Sequence, residues 1–199
     1  MNQFENAELF FLNTKKKLVR KSTHKLFAGK DVLCIGINGA YVPTDTQMVK
    51  DYEKAYDQII KDTMVDEIYF VSMNDDYVMS AWWKSMKIKK CKYLPDGNGA
   101  FSYRINNQGG MSGGLTVIEM YNKGLGKRSW RYCVLLEDNI QMSYIEEETP
   151  DGKSERSNLD EDPYILTTPV EALKWLNGRQ QTERVEQLND HSNDLALPQ

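Results

Sequence analysis

The 199-residue sequence predicts an α/β fold, a central mixed sheet flanked by helices, and three observations carry that prediction. Two short apolar runs, Val32 to Ile37 and Glu67 to Met73, have the near-continuous hydrophobicity of strands buried on both faces. Between them Met48, Tyr52, Ala55, Tyr56, Ile59 and Ile60 recur at helical spacing, so Asp45 to Asp62 reads as the crossover helix of a right-handed βαβ unit. Arg131 to Leu136 and Ile140 to Ile145 flank an Asp138-Asn139 pair, which is hairpin chemistry and adds an antiparallel component to the sheet.

The remaining elements follow in order. Asp76 to Met86 presents Val78, Met79, Trp82 and Trp83 as the apolar face of a helix. A short strand is expected over Lys90 to Leu94, followed by turn chemistry in "LPDGNGAF". Pro169 to Leu176 reads as a closing helix with Gly178 placed to end it. Beyond it the chain is polar and poor in apolar residues. Residues 1–177 are therefore expected to form one domain and 178–199 a tail, either a frayed helix or disordered. Strand, helix, strand, helix, hairpin and terminal helix in that order suggest a thioredoxin-like sandwich.

Composition narrows the function classes. A net charge of −4 and a pI near 5.3 give no basic footprint for nucleic acid. Lys15, Lys16, Lys17, Arg20 and Lys21 form a local positive cluster that reads as a solvated hairpin or loop. No apolar stretch is long enough to span a bilayer. Glu5 and Glu8 ahead of the lysines are unlike a signal peptide, so a soluble, cytoplasmic protein without membrane partners is expected. Cys34, Cys91 and Cys133 are odd in number and form no CxxC, which argues against a disulfide scaffold or a structural zinc site. His24 and His191 lie far apart and suggest no metal site. The glycine-rich "NNQGGMSGGLT" lacks the Lys-Ser/Thr ending of a phosphate loop, and "GLG" at 124–126 precedes a strand rather than a helix, so nucleotide binding is not expected. Trp82 and Trp83 read as core and interface residues, and the charged stretch 146–163 as a surface loop.

Several separate stretches, in the right order, give the chain a family likeness: "KLFAGKDVL", "NGAYVPTDT", "VDEIYFVSMNDDYVMSAW", "LPDGNGAF", "GLGKRSWRY" and "DPYILTTPVEALKWL". Over roughly residues 26 to 176 it resembles the peroxiredoxins, in particular the atypical two-cysteine and bacterial glutathione-dependent subgroup, some members of which are fused to glutaredoxin. In that family the loop reads Pro-Gly-Ala-Phe-Thr-Pro-Thr-Cys, and its cysteine thiolate attacks the peroxide oxygen and becomes a sulfenic acid.

The resemblance places Asp45 at the nucleophile, Val42 at the threonine that helps hold peroxide and thiolate, and Asn38 at the shielding proline. Gly39, Ala40, Pro43 and Thr44 keep the loop's backbone-shaping residues, and Arg131 matches the arginine that completes the family's site. A carboxylate has no sulfenate-like oxidation state, so Asp45 is expected to supply fixed charge and no peroxide reduction. It reads either as a permanent ion pair with Arg131 or as a helix N-cap, and the two readings are compatible.

The thiols offer a second route. Cys133 lies two residues after Arg131 on the same expected strand, hence on the same face, but within an apolar run. Cys34 is similarly placed, and both read as buried and inert. Cys91 follows Lys87, Lys89 and Lys90, which would lower its pKa and leave it modestly reactive and exposed. In some relatives a resolving cysteine sits within the segment corresponding to 146–163; here there is none.

Two function classes are thus expected. One is a non-catalytic, peroxiredoxin-like scaffold with a binding or regulatory role, as a homodimer or as a heterodimer with an active relative. The other is a thiol-dependent oxidoreductase using Cys133 or Cys91, with glutathione, glutaredoxin or a thioredoxin-type reductant, as the family implies. Neither implies a cofactor.

Overall fold

The computed structural model describes residues 3–105, 116–148 and 162–179. Its centre is a five-stranded mixed sheet of β3 (Asp31–Gly36), β4 (Glu67–Ser72), β5 (Lys92–Pro95), β8 (Tyr132–Glu137) and β9 (Ile140–Glu146), in the order β5-β4-β3-β8-β9. β3, β4 and β5 run parallel, and β8 and β9 are antiparallel additions. The crossover from β3 to β4 is α2 (Pro43–Asp62), and that from β4 to β5 is α3 (Asp76–Met86). Both central strands are therefore where the apolar runs place them.

Period-two alternation divides the core between two faces. Leu33, Ile35, Cys133 and Leu135 face Met48, Tyr52 and Ile59 of α2, Trp82 and Trp83 of α3, and Ala172 and Leu176 of a last helix, α4, over 169–179. Val32, Cys34, Val134 and Leu136 face the other way, onto Phe4, Leu9, Phe27 and Phe101. That second layer comes from a hairpin, β1 (Glu8–Leu12) with β2 (Leu18–Ser22), and a single helical turn, α1 (Thr23–Phe27). The expected basic hairpin is thus present, its underside plugging the sheet. Gly36 is required where it stands, because a Cβ there would lie 2.2 Å from the Tyr132 ring.

Asp138 and Asn139 both take left-handed backbone, with φ of 43° and 66°, as a two-residue hairpin turn demands. A separate hairpin, β6 (Val117–Met120) with β7 (Gly126–Ser129), turns through the left-handed Gly124 and Gly126, which accounts for "GLG". Gly178 does not end α4. The helix passes through it, anchored by Leu176 in the core and by an Arg179–Glu137 ion pair at 3.2 Å, whereas a glycine in an exposed helix costs only about 1 kcal/mol. The expected tail beyond that point, residues 180–199, lies outside the described residues, as do 106–115 of the glycine-rich stretch, 149–161 of the charged loop, and His191. Among the described residues no helix is long and apolar enough to cross a membrane, and no group of His, Cys, Asp and Glu could hold a metal. His24 instead bonds the Phe4 carbonyl at 2.6 Å.

Candidate functional site

The topology brings distant residues to one edge of the sheet. Parallel β3 and β4 end at Gly36 and Ser72, and antiparallel β8 begins at Tyr132, directly across from Gly36. The loop 37–42, Asn74 and Arg131 therefore meet at the carboxyl ends of the parallel strands, where open α/β sheets place their ligands.

Pro43 starts α2 two residues earlier than its apolar periodicity implies, since proline suits the first helical position. Asp45 then falls in the first turn and is not the N-cap. The cap position is Val42, which makes no side-chain capping bond. The Asp45 carboxylate turns back: Oδ2 accepts the Gly39 N–H at 2.8 Å, and Oδ1 accepts Arg131 Nε–H at 2.7 Å. Both side chains are 0% exposed.

Arg131 reaches a second carboxylate, Asp162, through Nη1, which also donates to the Pro163 carbonyl at 3.0 Å. Asn38 Nδ2 donates to the same Asp162 oxygen at 3.0 Å. One guanidinium thus holds α2 and the lead into α4, and its two carboxylate partners hold the pocket loop. Asp162 escapes a sequence reading because it follows an acid-rich stretch and lies 31 residues from its partner. Its only signal is the Asp-Pro step ahead of the helix. Arg131 Nη2 and Asn38 Oδ1 are buried and have no hydrogen-bond partner among the described residues.

The loop itself is pinned by Asn74, whose Oδ1 accepts from the Ala40 amide at 3.0 Å and from Ser72 Oγ at 2.8 Å. Tyr41 is held in the left-handed region at φ 67°, an uncommon conformation for a bulky residue, and its side chain is exposed.

Burial dominates the electrostatics of Asp45. It pushes the carboxyl up from 3.8 to about 6, against the lowering effects of the Arg131 charge and the Gly39 amide. Partial burial of Asp162 is outweighed by the guanidinium, which holds that carboxyl below its usual value. At neutral pH Asp45 is ionised and paired.

The pH dependence follows from the sign of the shift. The folded protein binds the Asp45 proton more tightly than the unfolded chain does, so this contribution to stability is complete below about pH 4 and is lost as pH rises through 6. The loss amounts to at most about 3 kcal/mol. Urea unfolding of wild type and Asp45→Asn at pH 4.5 and pH 7 should show the stability difference moving against wild type at the higher pH. A difference that stays flat would show that Asp45 does not titrate in this window.

The three thiols are all buried. Cys34 is pushed well above its usual pKa by burial, and Cys133 up to about 12. Cys133 does share a face with Arg131, and its sulfur lies 3.4 Å from the Tyr52 hydroxyl, which donates to the Thr167 carbonyl at 2.8 Å. Cys91 is a correction: it is only 3% exposed, and its pKa is raised by burial and by Glu53. The neighbouring lysines do not decide its chemistry, because the Glu53 carboxylate of α2 accepts the backbone amides of Lys89, Lys90 and Cys91. Native protein should accordingly react with none of its thiols under iodoacetamide, and with all three once unfolded in guanidinium. Rapid native alkylation at any one position, located by mass spectrometry, would contradict this burial.

Comparison with known proteins agrees with the fold. The Redoxin family pattern matches residues 3–162. A peroxiredoxin of Sinorhizobium fredii is 34% identical over 157 residues, covering 78% of this chain and 76% of its own length. One of Rhizobium etli is 35% identical over 157 residues, covering 78% and 79%. Among solved structures, the Plasmodium falciparum antioxidant protein, a 1-Cys peroxiredoxin, superposes with a TM-score of 0.75 at 31% identity, over 89% of this chain and 97% of its own. With the thioredoxin-like sheet, the loop at its carboxyl edge and the arginine across from it, these likenesses establish that the chain belongs to the redoxin family, among the peroxiredoxins.

Proposed function

We propose that this chain is a degenerate peroxiredoxin, without thiol peroxidase activity, whose scaffold serves a binding or regulatory role. The observation that carries this reading is the buried Asp45–Arg131 pair at 2.7 Å. By resemblance Asp45 stands at the nucleophile, and the carboxylate takes up the arginine and the loop amide that would otherwise support a thiolate. Burial of all three cysteines supports the same reading, since a thiol held protonated is a poor nucleophile. A homodimer, or a heterodimer with an active relative, would let such a scaffold act without chemistry of its own.

The test is a coupled assay with hydrogen peroxide and with an organic hydroperoxide, using dithiothreitol as reductant, alongside trapping of sulfenates for mass spectrometry. Turnover at the buffer rate and no trapped sulfenate are expected. One observation favours the alternative, a thiol-dependent oxidoreductase served by glutathione or a thioredoxin-type reductant: Cys133 shares the strand face of Arg131 and touches the Tyr52 hydroxyl. Turnover abolished by Cys133→Ser would establish that reading instead, and turnover abolished by Cys91→Ser would point to the other thiol.

A further inference from the structure

A second recess shares no residue with the Asp45–Arg131 site. It has a volume of about 460 Å³ and lies where the β1–β2 hairpin, β4, β5 and the end of α3 meet. Its lining is aromatic, with Phe11 of β1, Tyr69 of β4, Trp83 of α3 and Tyr93 of β5. The Trp83 and Tyr93 rings pack together with centroids 5.2 Å apart. Their polar atoms, like that of Tyr69, are engaged elsewhere. The Tyr69 hydroxyl donates to Glu67 at 2.5 Å, Trp83 Nε1–H donates to the Cys91 carbonyl at 3.1 Å, and the Tyr93 hydroxyl bonds to the Asp76 carboxyl group. What remains for the recess is ring carbon.

Around these rings the charge has one sign. Lys21, Lys89 and Lys92 line the recess, and no Asp or Glu does. Lys21 Nζ lies 4.5 Å from the Phe11 ring centroid and Lys92 Nζ 5.5 Å from that of Tyr69, so two of the ammonium groups rest against the recess's own aromatic side chains. Lys92 also pairs with Glu67 at 2.6 Å. Lys21 and Lys89 have no carboxylate partner among the described residues. Glu53, which does reach this corner, is taken up by the backbone amides of Lys89, Lys90 and Cys91. Water satisfies the ammonium groups but leaves the rings wet, and a neutral apolar ligand does the reverse. A ring that carries a negative group satisfies both, which is the usual make-up of a small-molecule site: apolar walls and a few placed charges. Addition of a peptide strand at β5 fits less well, because that strand is four residues long and ends in Pro95.

We propose that this recess binds a planar aromatic anion, a carboxylate or phosphate carried on an aryl ring, with the ring against Trp83 and Tyr93 and the anion held by Lys21 and Lys89. The site is independent of the Asp45 pair and of any peroxide chemistry.

The test titrates the intact protein separately with naphthoate, naphthyl phosphate, the neutral naphthamide and the ringless anion octanoate, following backbone amides and the Trp83 indole N–H by NMR. Saturable shifts confined to Trp83 and to the amides around Phe11, Lys21 and Tyr93, with a Kd of about 1 mM or tighter, are expected for at least one of the two aryl anions. The tighter of the two assigns the anion to carboxylate or phosphate. Naphthamide and octanoate should each bind at least about tenfold more weakly. Lys21 and Lys89 are both exposed, so Lys21→Gln/Lys89→Gln should fold normally and lose at least about tenfold in affinity. Lys15→Gln/Lys16→Gln, which removes the same charge from the hairpin tip, should leave it unchanged. Equal affinity for naphthoate and naphthamide, tighter binding of octanoate, an equal loss in the two double variants, or shifts spread over the whole hairpin would overturn the proposal.

Discussion

Asp45→Cys is expected to recover only slow hydroperoxide turnover, and Asp45→Cys/Val42→Thr to exceed it by about 10- to 100-fold. The groups that hold the Asp45 carboxylate, the Gly39 amide at 2.8 Å and Arg131 Nε at 2.7 Å, remain after the substitution and are the donors a thiolate needs. A helix first turn and an adjacent guanidinium both lower a thiol's pKa, so the introduced cysteine should ionise readily. Val42 offers no hydroxyl to orient the peroxide, and the second substitution supplies one. Stopped-flow measurement with hydrogen peroxide, on protein whose new thiol has been titrated, checks both steps. Full family-like activity in the single variant would show that the threonine matters less than the resemblance implies. No activity in the double variant, with its thiol reactive, would show that the pocket has lost more than its nucleophile.

Arg131→Met should cost about 3 to 5 kcal/mol at pH 7, the largest stability loss expected of any single change at this site. Methionine keeps much of the volume but removes the charge that, among the described residues, faces Asp45 at hydrogen-bond distance, leaving a 0% exposed carboxylate without that counter-ion. Asp162 loses the guanidinium too, but it keeps the Asn38 side-chain amide and its side chain, 34% exposed, can turn to water. The deficit should shrink as pH falls from neutral toward 6, because without the guanidinium burial holds the Asp45 proton still more tightly, and a protonated Asp45 no longer needs the cation. Asp45→Asn/Arg131→Met should recover a good part of the loss, and the double-mutant cycle measures the coupling directly. Urea unfolding that shows an additive cycle would mean that the pair contributes geometry but no net energy.

The sequence made β3, β4 and α3 readable because each is decided by its own residues: unbroken apolar runs for the strands, and a Trp82-Trp83 face for the helix. The Asp138-Asn139 turn was equally legible, since few residue pairs accept two left-handed conformations. That Arg131 and Cys133 share a face follows from strand geometry alone. What escaped depends on partners far away in the chain. Asp162 acquires its role only when α4 brings it against β8. The character of Cys91 is set by Glu53, 38 residues earlier, rather than by its lysine neighbours. The orientation of Asp45 follows from one proline that moves the helix start and turns an apparent cap into an acceptor for the preceding loop. The β6–β7 hairpin and α1 are too short for periodicity to reveal.

Arg131 and the two carboxylates it pairs with join segments that are otherwise far apart: Arg131 bonds the start of α2 and the chain entering α4 directly, and the loop at Asn38 is tied in through Asp162. Glu147 extends this convergence, its own amide bonding the Arg131 carbonyl while its carboxylate gathers the amides of Ile165 and Thr167. Local opening of the C-terminal helix would therefore not stay local. Amide protons of the first turn of α2, the loop at Asn38 and α4 should exchange with solvent as one cooperative unit, so anything that grips or releases that helix also reaches the heart of the protein.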